Sequence, residues 1–309
     1  MRIIFMGTPE FAIPSLRILL ENQYEIAAVV TAPDRPKGRG QKVSSPPVKE
    51  FAAKHKLKVL QPASLKEKDF VDQVTELSPD INVVVAFRIL PREVFEVPKH
   101  GSFNLHASIL PKYRGAAPIN WAIIKGEKET GVTAFFLQEK VDTGNIILQA
   151  RVAIGENETA GELHDKLAEV GAEIVLQTVR LIELGKVQPR AQDESLVTPA
   201  PKIYKEMCKI DWTKSAREVH NFVRGLSPDP CAFTFHNAKM LNVYRTKRAG
   251  KKVNGSRPGE LVNPSSKELL VATGDELLAI EEIQLEGKKK MGIEEFLRGY
   301  QFEKGQRFG

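Results

Sequence analysis

Arg2-Ile-Ile-Phe-Met-Gly-Thr-Pro-Glu-Phe-Ala12 opens the chain, and Ile26-Ala-Ala-Val-Val30 follows it after an amphipathic pattern over residues 11–20. An apolar run, a Gly-Thr-Pro turn, a helical pattern and a second apolar run predict a strand, helix, strand unit. Further runs at 58–60, 81–86 and 102–106, with helical patterns between them, extend it to an α/β domain: a Rossmann-like, open and mainly parallel sheet wound on both faces. In such sheets a ligand sits beyond the carboxyl ends of the strands. Asn104 and His106 fall at such an end, two apart, and share one face if the strand runs through them. Gly7-Thr-Pro lacks the G-x-G-x-x-G pattern, so it reads as a turn for tight strand-to-helix packing rather than a dinucleotide site.

A hairpin is expected over 132–137 and 146–154, then a long helix over 159–184 opened by a Thr159/Glu162 capping box. His164 lies off that helix's apolar stripe and reads as a solvated residue. The polar, proline-bearing stretch that follows reads as a linker. The expected organisation is a catalytic domain over 1–189, a linker over 190–204 and a smaller domain over 205–309. A short helix over 216–224 and apolar alternations at 232–236, 241–244, 260–262, 269–272 and 277–284 predict a small barrel for the last of these.

The chain has 309 residues and a net charge of +6, with 42% hydrophobic content. It contains no apolar run of bilayer length and no signal-like start, so a soluble, cytoplasmic protein is expected. Cys208 and Cys231 form no C-x-x-C pair, and the six histidines show no ligand spacing with them. Reduced thiols and no metal are expected. The charge surplus is uneven: residues 205–309 hold 19 Lys and Arg against 14 Asp and Glu, and residues 31–60 hold eight basic side chains against Asp34 and Glu50. Two basic zones on a near-neutral chain suit a polyanionic substrate.

The most informative stretch is Phe103-Asn-Leu-His-Ala-Ser-Ile-Leu-Pro-Lys-Tyr-Arg-Gly-Ala-Ala-Pro118, followed by Val141-Asp-Thr-Gly-Asn145. With these motifs, and with Asp34-Arg-Pro-Lys-Gly-Arg-Gly40, Ile210-Asp-Trp212 and Arg224-Gly-Leu-Ser-Pro228, the chain resembles the 10-formyltetrahydrofolate-dependent formyltransferases over nearly its whole length. Within them it resembles the methionyl-tRNA formyltransferases. The resemblance implies transfer of a formyl group from 10-formyltetrahydrofolate, a co-substrate, to the α-amino group of methionyl initiator tRNA. It also implies a C-terminal OB-like barrel that binds tRNA, and a monomer is expected.

That reaction needs particular residue types. An α-amino group, with a reference pKa of about 7.7–8.0, is largely protonated at neutral pH and must lose a proton before it attacks. His106, with a reference pKa of about 6.5, suits the acceptor's role. The tetrahedral intermediate places negative charge on the former carbonyl oxygen, where a preorganised donor such as the Asn104 amide is worth about 3–4 kcal/mol. A carboxylate beside the histidine orients the ring and favours its charged form, a role that falls to Asp142. The resemblance implies the same trio.

Folate needs an apolar slot with backbone polar groups, and two loops are expected to supply it: Phe87, Arg88, Ile89 and Leu90 after the 81–86 strand, and Ser108, Ile109, Leu110 and Pro111. Phe87-Arg88 replaces the Tyr-Gly pair usual in the family. The basic loop over 31–47 is longer than an ordinary connection. The resemblance implies that it wraps the tRNA acceptor stem, with Arg39 as a principal contact, and Arg35, Lys37, Lys42 and Arg114 are expected to bind the tRNA as well. In the last domain Lys239, Arg245, Lys247, Arg248, Lys251 and Lys252 form a candidate basic face. Cys231 stands where Gly is usual after Pro230, which implies that a positive φ is not required there. The competing readings are a formyltransferase acting on a small amine, such as glycinamide ribonucleotide or an amino sugar nucleotide, and a non-catalytic tRNA-binding protein.

Overall fold

The computed structural model describes residues 1–37, 42–262, 265 and 267–309. In chain order its elements are β1 (Arg2–Gly7), α1 (Ile13–Glu21), β2 (Glu25–Val30), β3 (Arg35–Lys37), β4 (Lys42–Ser44), α2 (Pro47–Lys54), β5 (Val59–Leu60), α3 (Lys68–Glu76), β6 (Ile81–Val85), α4 (Arg92–Phe95) and β7 (Ser102–His106). There follow α5 (Pro118–Ile124), β8 (Glu129–Phe136), β9 (Ile146–Ala153), α6 (Ala160–Glu183), α7 (Ala216–Leu226), β10 (Ala232–His236) and β11 (Lys239–Lys252). The last are β12 (Leu261–Val262), β13 (Leu269–Ala272), β14 (Glu276–Leu285), β15 (Met291–Gly292) and α8 (Ile293–Gly299).

They form two compact units: Met1–Gly115 with Gly131–Val152 and His164–Pro199, and Ala116–Thr130 with Ala153–Leu163 and Ala200–Gly309. This interleaved division differs from the expected single cut at 190–204. Its physical cause lies in two excursions of the first half of the chain. In one, α5 lies along α7, where the Asn120 amide donates to Gly225 O at 2.8 Å and Ile124 joins the core of the second unit. In the other, the buried Arg224 guanidinium donates to Gly155 O at 2.9 Å and Glu158 O at 3.0 Å.

The first unit is a seven-stranded sheet of order β5-β2-β1-β6-β7-β8-β9. Strands β5, β2, β1, β6 and β7 run parallel, and β8 is antiparallel to β7. Central β1 is apolar from Ile3 to Met6 because both its faces are covered there: all four side chains are fully buried. Each such side chain contributes about 1.5–3 kcal/mol of burial. On one face Ile4, Met6, Val30 and Val84 pack against Phe70 and Val74 of α3 and Val94 of α4. Gly7 ends β1 where a Cβ would lie 2.7 Å from that of Ala12 and 3.1 Å from Val85 O, so the turn needs glycine for close packing. The capping box is present, with Glu162 accepting from Thr159 N at 2.8 Å. His164 pairs with Asp165 and lies edge-on to Phe11. Within the basic loop the described residues form an antiparallel ribbon, β3 with β4, which polarity alone had concealed.

The second unit is a curled antiparallel sheet of order β10-β11-β14-β13-β12, with β15 on β14. Three of its register shifts lie along β11, and such bulges bend and twist a strand. Helix α7 opens with a Ser215/Glu218 capping box and buries Val219 and Val223 in a core with Trp212, Phe233, Phe296 and Phe308. The strand expected at 241–244 runs on to Lys252, because its backbone stays paired with β14, with Thr246 opposite Ile280, Lys247 opposite Ala279 and Arg248 opposite Leu278, while Arg245 and Arg248 meet Glu282 and Glu276. Those polar pairs carry no apolar alternation to read. Cys231 has φ +66°, against expectation; its thiol is buried with the turn into β10. Among the described residues no helix is long and apolar enough to cross a membrane, and no group of three or more His, Cys, Asp or Glu is placed to hold a metal.

Candidate active site

Strand β7 ends at His106, and alternation along it puts Asn104 and His106 on one face. The His106 ring is buried, with Nε2 2.8 Å from Tyr113 O. A carbonyl can only accept, so this bond places the proton of a neutral ring on Nε2 and leaves the lone pair on Nδ1. Nδ1 faces Asp142 Oδ2 at 4.0 Å, and the same carboxylate oxygen accepts from Gly115 N at 3.0 Å. Asp142 has φ +56°, a conformation most side chains avoid. Two residues on, a Cβ at Gly144 would overlap Phe136 O, which fixes how closely this loop crosses β8. Among the described residues no side-chain hydrogen bond engages the half-buried Asn104 amide, so its two N–H donors are open to a ligand. The three expected residues are thus in one unit, with His106 and Asp142 facing each other.

The two expected folate loops follow β6 and β7, which are neighbours in the sheet. In the first, Leu90 is buried and Ile89 is 73% exposed. Arg88 donates to Ala63 O and Pro62 O, both at 3.0 Å, and its guanidinium lies over the Phe87 ring. In the second, the backbone is already engaged: Leu110 N donates to Thr133 Oγ1, Thr133 Oγ1 donates to Ser108 O, and Gln149 Nε2 donates to Leu110 O. Leu110 packs with Phe135 and Ile146, and the Leu110–Pro111 peptide is cis.

A pocket of ≈ 560 Å³ opens beyond the ends of β1, β2 and β6, lined by Thr8, Arg35, Ser44, Phe87 and Arg88 among others. Its size falls in the range of small-molecule sites, about 300–1,000 Å³. It adjoins the first folate loop and not the second. Burial first, and then the positive charge of Arg35, hold the Arg88 guanidinium below its usual pKa. Two cations so placed favour an anionic ligand. Arg35 is exposed, the backbone of Lys37 is paired with that of Lys42 in the β3–β4 register, and Arg39 lies outside the described residues. Arg114 is turned inward, with its side chain 11% exposed and hydrogen-bonded to Gln192 and Glu194.

A family model described as formyl transferase matches residues 1–179, and one described as formyl transferase, C-terminal domain, matches 202–301. The chain belongs to the formyl transferase family. It is 47% identical over the full length of both chains to a protein of Acetivibrio thermocellus named methionyl-tRNA formyltransferase. It is 48% identical, over 99% of each chain, to one of the same name from Caldanaerobacter subterraneus subsp. tengcongensis. By these relatives it falls among the methionyl-tRNA formyltransferases of the family. The fold is shared with a sugar 3N-formyl transferase, WlaRD, at a TM-score of 0.69 and 22% identity over 94% of this chain and 99% of that one. It is also shared with HypX of Aquifex aeolicus, solved with tetrahydrofolic acid, at 0.67 and 20% over all of this chain and 50% of that one.

For a member of the formyl transferase family, the residues that sequence reasoning missed are those that hold the expected ones. Tyr113 acts through its carbonyl, which any residue possesses. Gln149 and Thr133 brace the second loop, and Gln192 touches the Asp142 loop from a segment read as linker. No periodicity marks such contacts.

Proposed function

We propose that this chain transfers the formyl group of 10-formyltetrahydrofolate to the α-amino group of methionyl initiator tRNA. The observation that supports it most is end-to-end identity of 47% with a methionyl-tRNA formyltransferase, together with an imidazole and a carboxylate facing each other at the end of β7. In this reading His106 Nδ1 takes the proton from the attacking amine, since Nε2 is held by Tyr113 O. Asn104 donates to the oxygen that becomes negative as the amine adds. Asp142 stabilises the charge that forms on the ring and keeps it turned toward the reacting atoms. The proton returns to the folate nitrogen as the C–N bond to it breaks.

The loops carrying Phe87, Arg88, Ile89 and Leu90, and Ser108, Ile109, Leu110 and Pro111, form the folate side. The ≈ 560 Å³ pocket between Arg35 and Arg88 suits the anionic end of a substrate. Arg35, Lys37, Arg39 and Lys42 grip the tRNA, and the curled sheet of the second unit serves as an OB-like barrel that extends the grip. The protein acts as a monomer in the cytoplasm and needs no metal.

The test is transfer of labelled formyl from 10-formyltetrahydrofolate, offered with methionyl initiator tRNA, free methionine or glycinamide ribonucleotide, to wild type and His106→Ala. Formylation of the charged tRNA alone, lost in the variant, is expected. Transfer to a small amine instead overturns the tRNA assignment, and transfer to none overturns catalysis.

A further inference from the structure

Residues 190–199 belong to the first unit, and their contacts fall on both loops of the candidate site. Arg190 N donates to Ile146 O at 2.9 Å and its carbonyl accepts from Ile146 N at 2.8 Å. Thr198 O accepts from Arg114 N at 2.9 Å, and Thr198 Oγ1 accepts from Tyr113 N at 2.9 Å. Between these anchors, Gln192 Nε2 donates to Asp142 O and to Gly144 O, both at 2.9 Å. Its Oε1 accepts from Arg114 Nε at 3.1 Å and Nη2 at 2.7 Å. Arg114 is tied in turn to both carboxylate oxygens of Glu194, at 3.1 and 2.7 Å.

We infer that residues 190–199 are a strap across the active site, and that Gln192 is its positioning residue, setting the placement of Asp142 against His106. The inference rests on the catalytic reading above. The amide of Gln192 has one workable orientation: reversed, its NH2 would face a guanidinium and its oxygen two carbonyls. Both donors and the acceptor are used, so the side chain acts as a fixed spacer between the loop after β7 and the loop of Asp142. The first loop presents Tyr113 O, which holds Nε2 of the imidazole, and Gly115 N, which holds the carboxylate. The second carries Asp142 itself in a left-handed conformation that needs its surroundings to persist. Gln192 reaches no reacting atom; it acts through the residue whose backbone it grips.

Gln192→Met keeps the length of the side chain and removes all four hydrogen bonds without adding charge. Gln192→Glu keeps the Arg114 contact but replaces the donors to Asp142 O and Gly144 O with a carboxylate oxygen that repels both carbonyls. For wild type, both variants, Asp142→Asn and the Gln192→Met/Asp142→Asn double variant, kcat and KM for each substrate are measured. The titration of the His106 ring is followed by NMR in the unliganded full chain for wild type, Gln192→Met and Asp142→Asn. In both Gln192 variants kcat is expected to fall by about 10- to 100-fold, with each KM within about threefold of wild type. The double variant is expected to be no slower than Asp142→Asn alone, and the His106 titration in Gln192→Met to move in the same direction as in Asp142→Asn. An unchanged kcat, a loss that adds in full to that of Asp142→Asn, or a His106 titration unmoved in Gln192→Met overturns the proposal. If Gln192→Met does not fold, the kcat of Gln192→Glu decides. The titration is read without substrate, so a protein that formylates no charged tRNA yet shows the shared shift sinks the functional reading and leaves the strap standing.

Discussion

Asp142 is held by Gly115 N and faces His106 Nδ1 at 4.0 Å, and replacing its charge tests whether that contact matters. Asp142→Asn is expected to lower turnover by at least about a hundredfold while folate affinity, followed by fluorescence, stays measurable; near-normal turnover removes Asp142 from the mechanism. Cys231 offers a residue-scale test of backbone strain. Its φ of +66° costs an L-residue about 1–2 kcal/mol. Glycine relieves this but loses a buried thiol and gains unfolded-state entropy. Cys231→Gly is therefore expected within about 1 kcal/mol of wild type by urea unfolding, whereas β-branched Cys231→Val loses about 2 kcal/mol or more. Equal stability of the two variants contradicts the strain argument. Burial raises the Cys231 thiol to about 11 and raises that of Cys208, so both stay protonated and unreactive at neutral pH.

At the scale of an element, the first turn of α6 joins a cap to an ion pair. Glu162 accepts from Thr159 N and its carboxylate meets Arg245. The Thr159 backbone bond first, and Arg245 second, hold its carboxyl down at about 2. The contribution is therefore complete above the unfolded value of about 4.3 and disappears as pH falls toward 2. The side chain is 49% exposed, so solvent screening keeps the pair to a fraction of the shift, about 0.5–1 kcal/mol. Glu162→Gln, which still caps, is expected to lose that amount at pH 7 and almost nothing near pH 2, read from urea midpoints; an equal loss at both pH values refutes it. Strands β10 and β13 span the expected stretches residue for residue, because short, mainly apolar runs bounded by turn residues are buried nearly throughout. The second half of β11 was illegible because the residues it carries along β14 include Arg245, Lys247, Arg248, Lys251 and Lys252, and charged residues carry no apolar period.

At the scale of the whole molecule, His220 links stability to pH. It is buried, with Nδ1 3.0 Å from Thr246 Oγ1 and Nε2 3.2 Å from Glu156 O. Burial chiefly, with Arg224 and Arg248 adding to it, holds its pKa below the ordinary value despite the Glu156 carbonyl. Between the depressed native value and the unfolded value of about 6.5, the unfolded chain binds the extra proton. Stability is therefore full above about pH 6.5 and falls on acidification below it. Urea midpoints measured from pH 7.5 to pH 5 are expected to drop for wild type and to change less for His220→Gln; parallel curves contradict the assignment.

The parallel sheet, the helix over α6, the short strands of the second unit and the shared face of Asn104 and His106 all follow from local pattern: uninterrupted apolar runs, a capping box and alternation, whereas Asp142 entered only through the family resemblance. Each depends on residues close in sequence, whose period is set by the geometry of one helix or strand. Other features arise only when distant segments meet. Helix α5 is drawn to α7 over a span of a hundred residues, and the ribbon β3–β4 forms inside what read as a plain loop. Gln192, in a stretch with no periodicity, closes hydrogen bonds to Asp142, Gly144 and Arg114. A hydrogen bond between residues 48 or more apart leaves no mark on either neighbourhood, so only the tertiary structure could decide how the site is held together.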